Sequence, residues 1–513
     1  MPEYLHPGVY IQEEPSGARP IEAASTSTAC FVGTAARGRP DYPTFITNFE
    51  AFTNAFGDLT KASHMPLSVY QFFQNGGQRT YILRVLPSSA ELAVGTLAGD
   101  ISIDIEAAGK GLWGNDIRVT VSLNQFGGVP GLAGDTRPVL YDWLIEARNA
   151  DGEYTTAEAF FSLGVREDGD RFYATVLNRD SNYIRIALQP DGEYPEGNIT
   201  SDSVSVDLAG GTDGTGQPTP TDYERALATL DRIDDVSILA IPGASTGPTD
   251  MAISLTGSMY ASGRRDMIYV LDAPGSARDT RDAAAQIQDV KAFLADYANK
   301  ESYTALYFPW VEVADPYSSI AGATRYAPPS GFIAGLYART DNTRGVWKAP
   351  AGTGATILGS VGLSVAVSDG DQDGLNPIGV NCIRQFASSG IVCWGARTLS
   401  TVSNPEYRYV PVRRFALFLE KSLYRGTQWV VFEPNDEPLW AAVRFNLNAF
   451  MTSLFRQGAL QGGKPDEAFL VKCDSANNIQ ATIDQGQLHI LVAFAPLKPA
   501  EFVIIHIQQL LKE

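Results

Sequence analysis

Cysteine and histidine are scarce: the 513 residues contain four of each. Cys30, Cys382, Cys393 and Cys473 form no CxxC pair and no metal-ligand spacing, and no HExxH occurs. A metal site or a disulfide framework is therefore not indicated, and the thiols read as reduced core residues, although Cys382 and Cys393 could face each other across a hairpin. Positive charge is also in deficit, with 39 Lys+Arg against 58 Asp+Glu and a formal net charge of -19. That sign is wrong for neutralising phosphates and would be repelled by an anionic membrane surface, so neither nucleic acid nor membrane insertion is expected. Uninterrupted apolar runs of spanning length are missing. The start, Met1-Pro2-Glu3-Tyr4-Leu5, has neither the basic residues nor the apolar stretch of a signal peptide, which points to synthesis in a reducing cytoplasm.

What is present is an ordinary globular composition, 44% hydrophobic and 19% charged, in a chain long enough for roughly two to four domains. The acidity is uneven. Residues 97–215 hold 20 acidic against 8 basic side chains, whereas 401–513 hold 11 of each. A solvated, self-repelling region thus sits mid-chain, and the end is better suited to packing against protein.

Val9 and Ile11 alternate with Tyr10 and Gln12 between prolines, the period of a strand, and 17–27 reads as an extended linker. Strands are expected at Ala29–Gly33 and Thr80–Val85, with helices near Asn48–Phe56 and Pro66–Asn75. From 97 to 208 the pattern predicts short strands at Ile101–Ile105, Ile117–Leu123, Val139–Ala147, Phe172–Leu177 and Ile184–Leu188, a small sandwich or barrel displayed as an insertion. From Thr221 helices (Asp222–Asp231, Pro248–Ser262, Thr280–Tyr297) alternate with strands (Val236–Ile241, Met267–Leu271, Thr304–Val313), which argues for a largely parallel sheet. Further on, a hairpin joins Cys382–Phe386 to Ile391–Trp394. Pro411 opens one helix, Asp436 with Pro438 opens another, and strand-like runs close the chain at Leu488–Phe494 and Phe502–Leu510.

Three motifs suggest chemistry. Gly243-Ala244-Ser245-Thr246-Gly247 lies between a strand and a helix, as a nucleophile elbow would, and a serine hydrolase using Ser245 is the alternative functional reading. Its base would have to be one of four histidines, none in a supporting motif. Gly458 to Lys464 nearly spells a P-loop, but Pro465 replaces the hydroxyl residue that holds magnesium, so it reads as a helix cap with a turn. Asp369, Asp371 and Asp373 alternate as in calcium loops without the downstream Glu, and read as a solvated loop. No cofactor, metal or catalytic residue is assigned.

The ends are more informative. Chain ends fray unless tied down, yet both carry strand patterns, and Phe502-Val503-Ile504-Ile505-His506-Ile507 is nearly all apolar. Two readings are open. The strands either join the chain's own sheet, or pair with a neighbouring copy, which in a head-to-tail contact that does not close builds a helical filament.

Other residues resemble contractile phage tail-sheath proteins, together with the sheaths of tail-like bacteriocins and extracellular injection systems. They are Tyr326-Ala327-Pro328-Pro329-Ser330-Gly331, Gly335 to Asp341 and Gly345-Val346-Trp347-Lys348-Ala349-Pro350. Ile383-Arg384-Gln385, Val392 to Leu399, Val410 to Arg414, Phe432-Glu433-Pro434-Asn435, Phe455 to Leu460, Ala495 to Phe502 and His6 to Tyr10 continue the likeness. Gly111-Leu112-Trp113-Gly114-Asn115 resembles the family's middle module.

The resemblance implies a multidomain α/β and α+β protein. Its parts would be an arm and linker (1–27), a subtilisin-like α/β core (28–96 and 216–375), an inserted acidic β-rich domain (97–215), a tube-facing α+β domain (376–500) and a strand arm (501–513). It implies a non-enzymatic subunit polymerising as stacked rings around an inner tube protein, contacting baseplate and tail terminator proteins. Such a subunit contracts from a metastable extended state, after assembly in the bacterial cytoplasm into a virion tail or released particle. Val9, Tyr10, Ile11, Gln12 and Phe502 to Ile507 would be the inter-subunit strands, with Arg444 and Arg456 facing the tube.

Overall fold

A computed structural model of the protein describes residues 20–128, 137–149, 151–169, 171–200, 202–245, 247–279, 281–400 and 405–504. The chain divides into two units. The larger comprises Ser25–Arg344 and Ala349–Arg413; the smaller comprises Met1–Ala24, Gly345–Lys348 and Arg414–Glu513.

The larger unit is built on an eight-stranded sheet. Its strands are β1 (Ala29–Gly33), β2 (Thr44–Ile46), β3 (Thr80–Arg84), β11 (Ile238–Ala240), β12 (Ile268–Asp272), β13 (Thr304–Phe308), β17 (Val380–Phe386) and β18 (Gly390–Cys393). Their spatial order is β18–β17–β13–β12–β11–β1–β3–β2. All inner pairings are parallel, and only the outer β2 and β18 run antiparallel. Because helical crossovers cover both faces, the central strands are buried throughout: Ala29 and Phe31 enter one apolar cluster, Cys30 and Val32 the other. The sheet extends through 380–393, past residue 375 where the sequence reading ended the core.

Two departures from expectation here have simple causes. The run 304–313 is two strands, β13 and β14 (Val311–Ala314), because Pro309 between them cannot donate to a ladder. The helix Ser330–Arg344 has no polar stripe in its first half, where Ser330 through Ala338 are all buried, so it carries no amphipathic signal. A three-stranded sheet orders β15 (Thr324–Ala327), β14 and β16 (Gly362–Leu363). The aspartate-rich segment expected to be a loop is a short helix, Asp369–Leu375, started by a reciprocal cap between Ser368 and Asp371.

Within the insertion, β4 (Val94–Ala98), β5 (Ser102–Ala107) and β9 (Ile184–Ile186) form one sheet. A second sheet orders β10 (Ser203–Asp207), β6 (Ile117–Leu123), β7 (Leu140–Arg148) and β8 (Tyr154–Gly164). The two enclose a separate core that includes Leu97, Ile105, Val119, Trp143 and Leu163. The strand expected at Phe172–Leu177 is instead a helix, Tyr173–Asp180, because Tyr173, Ala174, Val176 and Leu177 bury one helical face.

The smaller unit packs the helix Glu437–Arg456 and the rest of the helix that starts at Val410 against β19 (Phe469–Lys472) and β20 (Leu491–Phe494). Asp436 caps the first helix by accepting from Leu439 N–H at 3.2 Å, with Pro438 in its first turn. Gly458, at φ 74°, turns the chain after it, as the near-P-loop reading expected of a cap.

Candidate functional site

β19 and β20 form an antiparallel pair and nothing more: Phe469 faces Phe494, Leu470 faces Ala493, Val471 faces Val492 and Lys472 faces Leu491. Alternation sends Phe469, Val471, Val492 and Phe494 toward the helices, where Phe494 meets Phe415 edge-on at 5.6 Å. The opposite face leaves Leu470 54% and Leu491 50% exposed. Among the described residues neither strand pairs with a third strand, and cover is confined to the ends: Phe469 N–H bonds the Pro465 carbonyl, and Gln461 N–H bonds the Ala495 carbonyl at 2.9 Å just past β20. A two-stranded sheet is marginal alone and gains most from added strands.

Ile21 and Ala24 are anchored in this same unit. Ile21 packs where a Cβ on Gly426 would sit, 2.6 Å from its Cγ1, and Ala24 N–H donates to Ser422 Oγ at 2.9 Å. Ile21 to Ala24 are thus held in place and are not a free linker. Val9, Tyr10, Ile11 and Gln12 lie outside the described residues, as do Ile505, His506 and Ile507. Phe502, Val503 and Ile504 are described, and they form no strand: they run as irregular chain, 73%, 79% and 78% exposed. With no partner strand beside them, their β pattern has nothing to pair with.

Arg444 is engaged within its own unit. It bonds Glu437 Oε1 at 2.6 Å and donates to the Cys473 carbonyl, clasping the helix to the end of β19. Arg456 stands exposed in the last turn of the same helix, where a cation complements the helix dipole.

The Ser245 elbow has a different geometry from a triad. Ser245 is 1% exposed and its Oγ donates to the Ala273 carbonyl at 3.0 Å. Asp272 accepts from Gly243 N–H (2.9 Å), Ser330 N–H (2.7 Å) and Ser330 Oγ–H (2.8 Å). Burial raises its carboxyl pKa to about 6 despite those three bonds. The His64 ring lies 2.5 Å from where a Gly243 Cβ would be, and Gly243 has φ 79°. Serine, histidine and aspartate are thus gathered, but no hydrogen bond links Ser245 to His64 or His64 to Asp272, and a triad requires both. Sequence reasoning missed this gathering because no motif flanks His64. It missed β19 because four residues are too few to show a period. The cysteines are all buried thiols, and Cys382 and Cys393 point to opposite faces of their hairpin, into different clusters.

Residues 216–399 match the phage tail sheath protein central domain, and 402–509 match the phage tail sheath C-terminal domain. Together these cover more than half the chain, and they define a sheath-type protein. The chain belongs to the contractile phage tail-sheath family. It is 24% identical over 298 residues to the tail sheath protein of Vibrio phage KVP40, covering 54% of this chain and 43% of that one. It is 28% identical over 197 residues to that of Enterobacteria phage T4 (37% and 28% covered). A putative prophage major tail sheath protein of Pseudomonas aeruginosa is 30% identical over 240 residues (46% and 55%). The matches thus span about half or less of these relatives' length. The fold is shared with the sheath complex of the extracellular contractile injection system PVC in its contracted state (TM-score 0.58, 22% identity, 99% of both chains). It is also shared with the sheath tail protein of Listeria innocua (TM-score 0.60, 13% identity, 94% and 97% covered).

Proposed function

We propose that this chain is a structural sheath subunit that polymerises helically around an inner tube, each copy completing a neighbour's two-stranded sheet with its own terminal strands. The observation that carries the reading is that no third strand among the described residues occupies either edge of β19–β20. Two edges call for two added strands, and the sequence carries a strand pattern at each end. Backbone pairing of this kind gives affinity without a large rigid interface, and a head-to-tail register that does not close gives a helix of subunits. The balanced charge of residues 401–513 suits that packing, and the acidic insertion suits an outward position.

The mechanism is mechanical and uses no cofactor. Assembly occurs in a metastable extended state, and contraction releases free energy by enlarging contacts between copies while paired arms keep the rings connected. We also propose the subtilisin-like description of the core, the domain division with the core carried on past 375 to include the strands of 380–393, and the further partners: tube, baseplate and terminator. The tube-facing helix is Glu437–Arg456, with Arg456 as its available cation and Arg444 serving as a clasp. Deletion of Met1 to Pro20 tests the central claim. Soluble, unassembled protein in negative-stain microscopy is the expected result, and normal tubes from the deleted chain would overturn strand donation by the N-terminus.

A further inference from the structure

In the loop after the helix that starts at Val410, the Val430 carbonyl accepts from Glu433 N–H at 3.1 Å. Between them Val431 lies at φ -65° and ψ 129°, and Phe432 at φ 69°. These angles are those of a type II turn, whose third residue needs positive φ and is ordinarily glycine. A bulky aromatic residue fits that position poorly. Three other described residues besides glycines have positive φ, and each is held by a local contact. Asp41 accepts from Arg225 Nε at 2.8 Å, Ser162 N–H in β8 donates to Asp142 Oδ1 at 2.8 Å, and Arg265 N–H closes a helix on the Ala261 carbonyl at 3.0 Å. Phe432 has no such return: it is 103% exposed, and Val431 beside it is 59% exposed.

Strained backbone persists only where its surroundings enforce it, and it gathers at sites of contact and clamping. Here the enforcement is visible on both flanks. Trp429 and Val430 pack with Leu488 and Ile490 against the core of the smaller unit. Asn435 donates to the Gln487 carbonyl at 2.9 Å and accepts from Trp440 Nε1–H at 2.8 Å. Glu433, which precedes Pro434, is confined to extended backbone. The turn is therefore preset, and a preset aromatic side chain loses little freedom when it enters a partner's pocket. Its seat also points to the occupant. Residues 487–490 lead directly into β20, beside which no third strand lies among the described residues.

We propose that Phe432 is an anchor for a second copy of this chain, its ring entering an apolar pocket on the copy that adds a strand to β19–β20. The choice of occupant rests on the strand-addition reading above. Phe432→Gly in the full chain tests the anchor. Glycine takes positive φ freely, so the midpoint of denaturant unfolding should hold. The critical concentration for tubes, measured by sedimentation, should rise at least about tenfold, the worth of one buried aromatic side chain. An unchanged critical concentration would overturn the proposal, and would do so separately from strand donation, which the deletion of Met1 to Pro20 decides. Phe432→p-benzoylphenylalanine tests the occupant: irradiated tubes should yield a covalent dimer of the chain, and irradiated unassembled protein none. Tubes that give no dimer would overturn the assignment, even if Phe432→Gly failed to fold. So would a cross-link to the inner tube protein in its place when whole particles are irradiated.

Discussion

The insertion's four-stranded sheet and the two-stranded sheet of the smaller unit face one problem, a row of unpaired peptide groups along an outer strand. In the insertion the long edge strand β8 is blunted. Register shifts break its pairing with β7, Ser162 is bulged at φ 57°, and Ser162 N–H is diverted to Asp142 Oδ1 at 2.8 Å. Arg171 then donates to the Phe161 and Ser162 carbonyls at 3.0 and 3.4 Å. The neighbouring edge, β9, is closed by Asn178, whose amide bonds both N–H and C=O of Ile186. The core sheet is treated likewise: the loop 352–357 bonds along β18, through Gly352 N–H to Cys393 C=O and Ile357 N–H to Ile391 C=O. β19 and β20 are covered at their ends alone among the described residues, by the bonds from Phe469 N–H to the Pro465 carbonyl and from Gln461 N–H to the Ala495 carbonyl. Natural proteins suppress edges because bare ones recruit other chains. An edge left largely bare, beside edges that are blunted, fits the strand addition proposed above.

That contrast predicts that the two sheets fail differently. The largest effect belongs to the insertion's core, where Trp143 is buried and stacked on Tyr173 at 5.3 Å. Trp143→Ala should cost about 3–5 kcal/mol in denaturant unfolding of the insertion, while tubes still form. Loss of tubes would place the insertion in the polymer contacts. Next in size, Leu470→Lys with Leu491→Lys should leave monomer stability within about 0.5 kcal/mol, since both side chains are half exposed. Critical concentration, measured by sedimentation, should nevertheless rise at least about tenfold, because apolar surface meant for a partner becomes charged.

Arg171→Ala should cost about 1 kcal/mol, the usual net worth of a lost hydrogen bond. It should also produce light-scattering aggregates on mild warming as β8 is uncovered. An unchanged melting and scattering profile would show that the bulge alone protects this edge. The smallest effect is electrostatic. Arg118 on β6 pairs with Asp207 on β10 at 2.6 Å, and this holds the Asp207 carboxyl below its usual range. A carboxylate with a depressed folded-state pKa stabilises above its unfolded pKa, near 4, and loses that contribution as pH falls through the folded value. A double-mutant cycle of Arg118→Gln and Asp207→Asn should therefore show a small coupling at pH 7, as for other exposed pairs, that declines as pH falls through the folded-state value of Asp207. A coupling that persists in acid would assign it to packing.

Much of this was legible in the residues. The cap Asp436 with Pro438, the hairpin 382–394 and the alternation of helix and strand after Thr221 appear where local chemistry put them, because each depends on neighbours a few positions apart. Periodicity failed where the environment is uniform or the element short. The first half of the helix Ser330–Arg344 is buried on all sides, β8 is too polar to read as a strand, and β19 has four residues. The strand pattern of Phe502 to Ile504 is real as composition, yet a strand exists only beside another, and none lies there among the described residues.

Local order and the scarcity of cysteine, histidine and positive charge were thus settled by sequence alone. So was the family, since its motifs are short and contiguous. Only the tertiary structure decided that residues 64, 243, 272 and 330 meet, and that one sheet stops at two strands among the described residues. Each of these depends on which distant strands become neighbours, and that is set by the parallel order and burial of the whole sheet, a property that no stretch of adjacent residues encodes.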